Sequence, residues 1–369
     1  MDSDILNAIQ LNLIPGIGPR MRQALLHRFE TPANALAASR QELRKVPGIG
    51  TKLAAAIENE QDPVTAQREL DRCRERGLQL VLRNQPEYPP LLEEIPDPPT
   101  LLYCRGELTP ADRLAVGIVG SRKCTHYGRT QAERFGQMLA RAGMTVVSGL
   151  ARGIDGAAHE GALSVGGRTI AVTATGHGTI YPPEHADLAE RISRSGSVVT
   201  EMPFDQAPTP GLFPQRNRII SGLSQGVLII EASRNSGALH TARHAMEQGR
   251  AVMALPGPVH SLASEGCHDL IREGATLVRH ADDVLEALGP LPEPAPRENN
   301  ETVLSPRELS LSDQERMVLN LVSTDPQPID IILRSADIEP SRVLATLTVL
   351  EMKRFIRRLP GSRMVRVPT

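Results

Sequence analysis

Arginines and small polar residues follow several short apolar runs of this sequence, and together these residue types bind anions. The apolar run Leu114–Val119 ends in Gly120, Ser121 and Arg122, and a helical pattern follows. Glycine and serine let backbone N–H groups approach an anion, and the N-terminus of a helix favours negative charge. An arginine adds a planar fork of donors that suits a phosphate. The pattern therefore predicts a phosphate-binding turn at these three residues.

The same composition recurs in four later segments of the chain. Arg152, Arg216 and Arg218 supply further donor forks beside glycine, serine and asparagine. The segments are Ser148–Gly153, Thr175–Gly178, Phe213–Arg218 and Ser233–Thr241. The carboxyl ends of parallel strands meet at one edge of a sheet, and ligands bind there. We therefore expect these segments to form one anion-binding rim.

Two cofactor sites are disfavoured by the details of this rim. The first turn lacks G-x-G-x-x-G, and the second strand ends in Ser148-Gly149 rather than in an acid for ribose hydroxyls. Both features argue against a nicotinamide-type dinucleotide. The sequence also contains no G-x-x-x-x-G-K-[ST], which excludes a P-loop. We expect no cofactor.

Two other ligands fit the rim. Asp155, Glu201 and Glu231 lie near strand ends, so a nucleotide-processing, phosphoribohydrolase-like enzyme is one alternative. For His159, at helical spacing from Asp155, packing or capping is the favoured role. A single strand of nucleic acid would place its phosphates at the arginines and its bases on Phe213 or Tyr181. A single strand of nucleic acid explains more of the amide-rich turns and dispersed arginines, and it requires no residue that acts as a catalytic base.

Short apolar runs alternate with helical patterns from about Leu114 to Leu288. Continuous apolar runs are typical of strands buried on both faces, and hence of a mainly parallel sheet between helices. The predicted fold class is α/β with a Rossmann-like core. The predicted strands are Ala115–Val119, Thr145–Ser148, Thr169–Thr173, Ser197–Thr200, Gly226–Ala232 and Ala251–Leu255.

A helical domain is predicted before this core. Within residues 1–62, Pro15 and Pro47 each begin a P-G-I-G turn between helical patterns. The repeat indicates a helix-hairpin-helix-like domain, whose turns either bind a phosphate or serve packing alone. The core domain is predicted over 63–288. Its lead-in, 63–110, is proline-dense after a helix and a strand, and we expect it to wrap onto the edge of the sheet.

A winged helix is predicted after the core, beyond a flexible Pro/Glu-rich linker at 289–302. Ser312 and Glu315 give a capping-box pattern at the first of three helices within 303–369. A terminal hairpin follows. Six basic residues and no acidic one lie between Lys353 and Arg366, which indicates either DNA contact or a solvated wing or protein-docking surface.

The composition limits the cellular context. The 369 residues carry a net charge of −2, so no global charge favours nucleic acid, and the absence of Trp with few Phe and Tyr limits base stacking. The four cysteines have no metal-ligand spacing, which favours reduced thiols in the cytosol. The N-terminus lacks a signal-peptide core, and the apolar runs are too short to span a bilayer. We expect a cytoplasmic protein without membrane contact.

An ordered series of motifs resembles one known family, the DNA-processing protein A (DprA/Smf) family. From about Tyr88 to Leu288 the chain contains GIVGSR, VVSGLARGIDGAAHEGAL, IYPPEH, FPQRNRIISGLSQGVLIIEA, SGALHTARHAMEQGR and GCHDLIREGA. The flanking domains also resemble the helical and winged-helix modules of some members. Three positions depart from the family pattern: Pro183 stands where some members have a DNA-contacting lysine, Ala186 lies where an aromatic that could stack on a base is missing, and His240 stands where isoleucine is common.

The resemblance implies a protein that is not an enzyme. It implies binding of single-stranded DNA by the Rossmann-like domain, a homodimer, and loading of the RecA recombinase onto incoming strands in natural transformation. Carried over by motif, the DNA-binding residues are Gly120, Ser121, Arg122, Gly149, Arg152, Arg216, Asn217, Arg218, Ser236, Gly237 and Thr241.

Overall fold

The computed structural model describes residues 2–59, 61–290, 295–296, 302–303 and 305–367. The chain divides into two units, residues 1–279 and residues 280–369. Among the described residues, no helix combines the length and apolarity that a membrane span requires.

The first unit contains nine strands in one sheet. Their bounds are β1 Gln79–Leu82, β2 Leu101–Gly106, β3 Ala115–Val119, β4 Thr145–Ser148, β5 Thr169–Val172, β6 Ser197–Thr200, β7 Gly226–Ile229, β8 Ala251–Ala254 and β9 Thr276–Leu277. All six predicted strands are present, the longer ones ending one to three residues early. The mainly parallel α/β core predicted from the sequence is confirmed.

The order of the strands creates a switch point beside β3. Across the sheet the order is β1-β2-β6-β5-β4-β3-β7-β8-β9, and neighbours from β6 to β9 are parallel. The chain therefore builds outward from β3 to β6, then returns to the other side of β3 for β7. In open α/β sheets ligands bind beyond the carboxyl ends of the strands at such a reversal. In this sheet the expected ligand position is therefore the gap beyond the carboxyl ends of β3 and β7.

Among the described residues of the first unit, thirteen α-helices surround this sheet or precede it. They are α1 Asp2–Leu13, α2 Pro19–Phe29, α3 Pro32–Ala37, α4 Arg40–Leu43, α5 Thr51–Asn59, α6 Pro63–Glu75, α7 Pro90–Glu93, α8 His126–Arg141, α9 Ile154–Ser164, α10 Ala186–Ser195, α11 Leu212–Gly222, α12 Ala238–Glu247 and α13 Glu265–Arg272. The proline-dense lead-in contributes the single-turn helix α7. It then supplies β2, which pairs antiparallel with β6 and so extends the sheet.

The N-terminal helices enclose their own apolar core. Gly16 and Gly48 adopt φ values of +84° and +87° at the two P-G-I-G turns, a backbone region that glycine enters without strain. A side chain at Gly48 would also meet Met21, since an added Cβ would lie 2.8 Å from its Cε. Ile17 and Ile49, between the glycines of each turn, are buried in this core. The repeat therefore positions two matching turns around one core.

The second unit contains a winged-helix arrangement. Its elements are α14 Ala281–Leu288, β10 Ala295–Pro296, β11 Thr302–Val303, α15 Asp313–Asn320, β12 Gln327–Pro328, α16 Ile329–Ser335, α17 Pro340–Met352, β13 Ile356–Leu359 and β14 Arg363–Arg366. Ser312 and Glu315 form the predicted capping box before α15. The division between units falls at Arg279, so α14 groups with the second unit rather than with the core, to which the sequence assigned it. Most of the predicted linker, 289–302, lies outside the described residues.

Buried charges join the N-terminal helices to the sheet. Glu201, directly after β6, accepts from Arg218 of α11 at 2.6 Å and pairs with Arg22 of α2 at 3.5 Å. The side chain of Asn12 donates to the Glu201 carbonyl at 2.9 Å. The Glu201 carboxylate thus pairs with two buried guanidinium groups: Arg22 from the N-terminal helices and Arg218 from a helix packed on the sheet.

Replacing this carboxylate should destabilise the first unit strongly. In Glu201→Ala both guanidinium groups stay buried without their shared counter-charge, which typically costs about 3–5 kcal/mol. We expect a loss of that size in the free energy of unfolding from urea titration. Glu160→Ala is the control, because its pair with Arg191 is nearly half exposed and such pairs contribute about 0–1 kcal/mol. Equal losses in both variants would contradict a structural role for Glu201.

Candidate functional site

A cavity of about 920 Å³ opens at the switch point of the sheet; we call it the strand-end cavity. It brings together eight of the eleven predicted site residues, which come from the turn after β3, from α11, from the turn before α12 and from α12 itself. These residues are Gly120, Ser121, Arg122, Arg216, Asn217, Ser236, Gly237 and Thr241. Segments separated by more than a hundred residues in the chain therefore meet at one rim, as the parallel-sheet pattern predicts.

Gly149 and Arg152 line a smaller depression beside this cavity. Arg122, Tyr181 and Phe213 belong to the walls of both spaces. The Arg122 guanidinium lies 4.7 Å from the Phe213 ring centroid, and Phe213 meets Tyr181 edge-on at 5.6 Å. The Arg152 guanidinium lies 5.9 Å from the Tyr181 centroid. Two arginines and two aromatic rings thus form a continuous wall between the two spaces.

Glu231, which follows β7, holds the turn after β3 in place by accepting hydrogen bonds from it. The Glu231 carbonyl accepts from the Ser121 N–H at 2.7 Å. Its carboxylate accepts from the N–H and hydroxyl of Thr125, the N-cap of α8, at 2.9 and 2.6 Å. An added Cβ at Gly120 would lie 2.6 Å from Ile154, so the close approach of α9 requires glycine there.

The strand-end cavity carries an excess of positive charge. Arg122, Lys123 and Arg216 line it together with a single carboxylate, Asp155. The first turns of α11 and α12 also reach its wall, and helix N-termini add partial positive charge. Arg122 is exposed, and within the described part of the chain no carboxylate pairs with it. The site is built to attract an anion at Arg122.

Arg216 has a different role from Arg122, although both line the cavity. Its side chain is buried, and Nη1 donates to the carbonyls of Gly149 and Val172, at the ends of β4 and β5. Burial lowers the pKa of Arg216 to about 10, against the opposing attraction of Asp155. The guanidinium therefore keeps its charge at neutral pH, and it presents that charge from the floor of the cavity.

Arg218 does not reach the rim, and its predicted position there is wrong. Its side chain is 3% exposed and its partners are Glu201 and Asp97, on the far side of α11 from the cavity. Residues two apart on a helix point in different directions, so Arg216 and Arg218 cannot face the same space. Arg218 belongs with Glu201 and Arg22 to the buried charges that join the N-terminal helices to the sheet.

The acid and base groups considered for catalysis have structural partners. Asp155 accepts from the N–H groups of Gly149 and Ala151 at 3.1 and 3.4 Å, and burial raises the pKa of its carboxyl. Glu201 and Glu231 are held as described above, and neither lines the cavity. Among the described residues, no three His, Cys, Asp or Glu side chains gather as a metal site would require.

His159 is buried behind β5 and is held as a neutral ring. The Thr169 hydroxyl donates to the Val146 carbonyl at 2.6 Å, so it must accept from His159 Nδ1 at 2.7 Å. Burial lowers the pKa of His159 to about 3, and the charges of His185 and Arg216 act in the same direction. The packing role favoured for this residue agrees with its place in the fold.

Sequence reasoning missed two charged residues at this site: one lines the strand-end cavity, and the other pairs with Arg152. Lys123 directly follows Arg122 and lines the strand-end cavity; its charge and position in the turn were available signals. Glu184, in the turn Pro183–His185, forms an ion pair with Arg152. Nothing in the local sequence around Arg152 indicates this partner, which is 32 residues away in the chain.

The exposed face of α17 in the second unit is mixed in character. Leu344, Val349 and Met352 are exposed on one side of this helix, Met352 by 79%, and helical spacing puts the exposed hydroxyl residue Thr348 on the same side. Arg357 and Arg363, exposed on the hairpin, supply the charge of the wing. DNA contact and protein docking by this unit therefore both stay predictions.

Comparison with known proteins identifies the family. The model of DNA recombination-mediator protein A matches residues 79–289, more than half of the chain. The chain belongs to the DprA/Smf family. The DprA winged helix domain matches residues 302–362, and a SAM-like helix-hairpin-helix tandem matches residues 9–60. The family and the three modules expected from the sequence are therefore confirmed.

Relatives of this DprA/Smf chain extend over nearly its whole length. Protein Smf of Synechocystis sp. is 33% identical, over 96% of both chains. The structure of DNA processing protein A from Streptococcus pneumoniae superimposes with a TM-score of 0.66 at 32% identity, covering 78% of this chain and 97% of that one. The Helicobacter pylori protein, whose structure was described for its single-stranded DNA binding mode, gives 0.51 at 30% identity, covering 57% and 95%.

The neutral His159 predicts acid sensitivity. Its pKa in the folded state lies below the ordinary value of about 6.5, so the unfolded chain binds more protons at acid pH. The stability from this residue is complete above about pH 6.5 and is lost as pH falls toward 3, by about 1.4 kcal/mol per pH unit. We expect His159→Gln to reduce the pH dependence of the free energy of unfolding by the equivalent of about one proton. Urea titrations between pH 7 and 4 measure this dependence. His27→Gln, at an exposed position, is the control, and equal slopes in both variants would count against this assignment.

Proposed function

We propose that this chain binds single-stranded DNA along the strand-end cavity and has no catalytic activity of its own. The observation that carries the proposal is Arg122, an exposed guanidinium without a carboxylate partner among the described residues, at the junction of two spaces. Exposed backbone turns and helix N-termini beside it add donors for phosphate oxygens. The proposed contacts are Gly120, Ser121, Arg122, Gly149, Arg152, Arg216, Asn217, Ser236, Gly237 and Thr241.

The aromatic wall favours a single strand over a duplex. Phe213 and Tyr181 are both partly exposed between the two arginines. A base stacks on such rings only when it is unpaired, and each stacked base typically adds about 1–3 kcal/mol. Arginines beside the rings would hold the flanking phosphates. The relative from Helicobacter pylori, with its single-stranded DNA binding mode, supports the same ligand.

The partners that we propose follow from family membership and from surface features. We infer that the bound strand is passed to the RecA recombinase in natural transformation, and that the protein acts as a homodimer in the cytoplasm. Val259, exposed by 79%, and Leu277 on the edge strand β9, exposed by 44%, support self-association at this end of the sheet. Apolar side chains so exposed commonly mark an interface.

The phosphoribohydrolase-like alternative has less support. Of the carboxylates considered for catalysis, Asp155 alone lines the cavity, and two backbone N–H groups already hold it. A general base must reach the proton that it removes. Incubation with nucleoside monophosphates distinguishes the two functions: release of a free base, abolished by Asp155→Asn, would support the enzyme.

The proposal predicts a large effect of one substitution. Arg122→Ala should weaken binding to a labelled poly-dT strand by roughly 10-fold or more, because a charge-assisted contact to phosphate typically contributes about 1.5–3 kcal/mol. The slope of log affinity against log salt should fall in magnitude by about 0.7, the value for one phosphate on a single strand. Fluorescence anisotropy over a salt series measures both quantities.

Arg134→Ala is the matched control for Arg122→Ala. Arg134 is exposed on α8 and lines neither the strand-end cavity nor the smaller depression, while its loss changes the net charge equally. Binding by Arg134→Ala should stay within about twofold of the unmodified protein, because distant exposed charges are screened. If both variants bind alike, the strand does not pass Arg122.

The recombinase step predicts a separate result. Purified RecA should hydrolyse ATP sooner on a single strand coated with a single-strand-binding protein when this chain is added. Arg122→Ala should lose this acceleration in proportion to its loss of DNA affinity, because delivery requires the bound strand. A chain that binds DNA tightly yet leaves the ATPase lag unchanged would contradict loading while leaving DNA binding intact.

A further inference from the structure

The Arg152 guanidinium is occupied by an internal carboxylate. Nε and Nη2 of Arg152 donate to the two oxygens of Glu184, the second at 3.0 Å, so the pair is bidentate. This fork geometry is the one with which arginine binds a phosphate. Each side chain is 50% exposed, so the pair lies at the surface where a strand would pass. Glu184 thus holds the donors that the proposed DNA contact needs.

The two exposed arginines of the site therefore differ in availability. Arg122 has no carboxylate partner among the described residues, whereas Arg152 is paired. Both line a third space of about 420 Å³, which continues from the depression beside the strand-end cavity. Its other charges include a second pair, Arg191 with Glu160. A strand that extends from Arg122 toward this space meets the Arg152–Glu184 pair first.

The strength of the pair sets the size of the effect. Exposed ion pairs are weak, because solvent screens them and two long side chains must be ordered. A phosphate can therefore displace Glu184, but only at a cost in affinity and against the repulsion of the released carboxylate. Arg122 and Arg152 line the same two spaces, so a strand held at Arg122 brings its phosphates to the pair. The pair thus lowers the affinity for any strand whose phosphates reach Arg152.

We propose that Glu184 competes internally with phosphate for Arg152 and thereby lowers the affinity of this site for single-stranded DNA. This inference rests on the proposed binding of single-stranded DNA. In this scheme Glu184 limits how much the contact at Arg152 adds to the contact at Arg122.

The test compares Glu184→Gln with the unmodified chain on a labelled oligo-dT of about 30 nucleotides, longer than a typical single-strand site. Glutamine keeps the size of the side chain and removes its charge. We expect the affinity for the strand to rise about three- to fivefold, in keeping with a weak exposed pair.

Two controls separate competition from a change in net charge. Glu190→Gln removes one carboxylate on nearby α10, where Glu190 pairs with Arg105 and Arg194 and lines none of the three spaces. It should leave the affinity for the strand unchanged. In an Arg152→Gln background, Glu184→Gln should give no gain, because the competition acts through Arg152.

The outcomes are distinct. No gain in Glu184→Gln, an equal gain in Glu190→Gln, or a gain that persists without Arg152 would overturn the inference while leaving the proposed function standing. A chain that does not bind the strand, before or after substitution, would instead refute the proposed function. The expected pattern, a gain in affinity that requires Arg152, supports both.

Discussion

The site depends on the hydrogen bonds that Arg216 donates to the carbonyls of Gly149 and Val172. These carbonyls end β4 and β5, so one guanidinium fixes helix α11 against two strand ends at once. Gly149 permits this contact, since an added Cβ would lie 2.5 Å from the guanidinium nitrogens. Asp155 supplies the compensating charge. The floor of the strand-end cavity is therefore both rigid and positively charged.

The acidic groups near the strand ends hold neighbouring parts of the fold in place, and this explains why the net charge of the cavity lining stays positive. Glu231 holds the turn after β3 and the N-cap of α8, and Glu201 holds two buried guanidinium groups. Neither carboxylate lines the strand-end cavity, so neither reaches a ligand bound there as a general base must. A chain with nearly balanced total charge thereby presents a cationic surface at one place. Such a surface suits a polyanion better than it suits a reaction that needs a base.

Four arginines near the switch point show how tertiary contacts divide one residue type among several roles. Arg122 is exposed and unpaired with acid among the described residues, and Arg152 is paired at the surface. Arg216 is buried at the cavity floor, and Arg218 is buried behind it. Composition alone predicts the same phosphate-binding role for all four arginines. Their different electrostatic partners decide which charges a ligand can reach.

The sequence by itself determined the α/β core, the three modules, the capping box at Ser312 and eight of the residues that line the strand-end cavity. These features depend on local periodicity, on turn-forming glycines, and on the rule that parallel strand ends share one edge. The spacing of Arg216 and Arg218 on a helix even contained the signal that they face apart. Tertiary structure alone decided that β2 joins β6, that Glu201 captures Arg218, and that Glu184 occupies Arg152. Each of these is a pairing between distant segments, and such a pairing is fixed by packing geometry that no local pattern encodes.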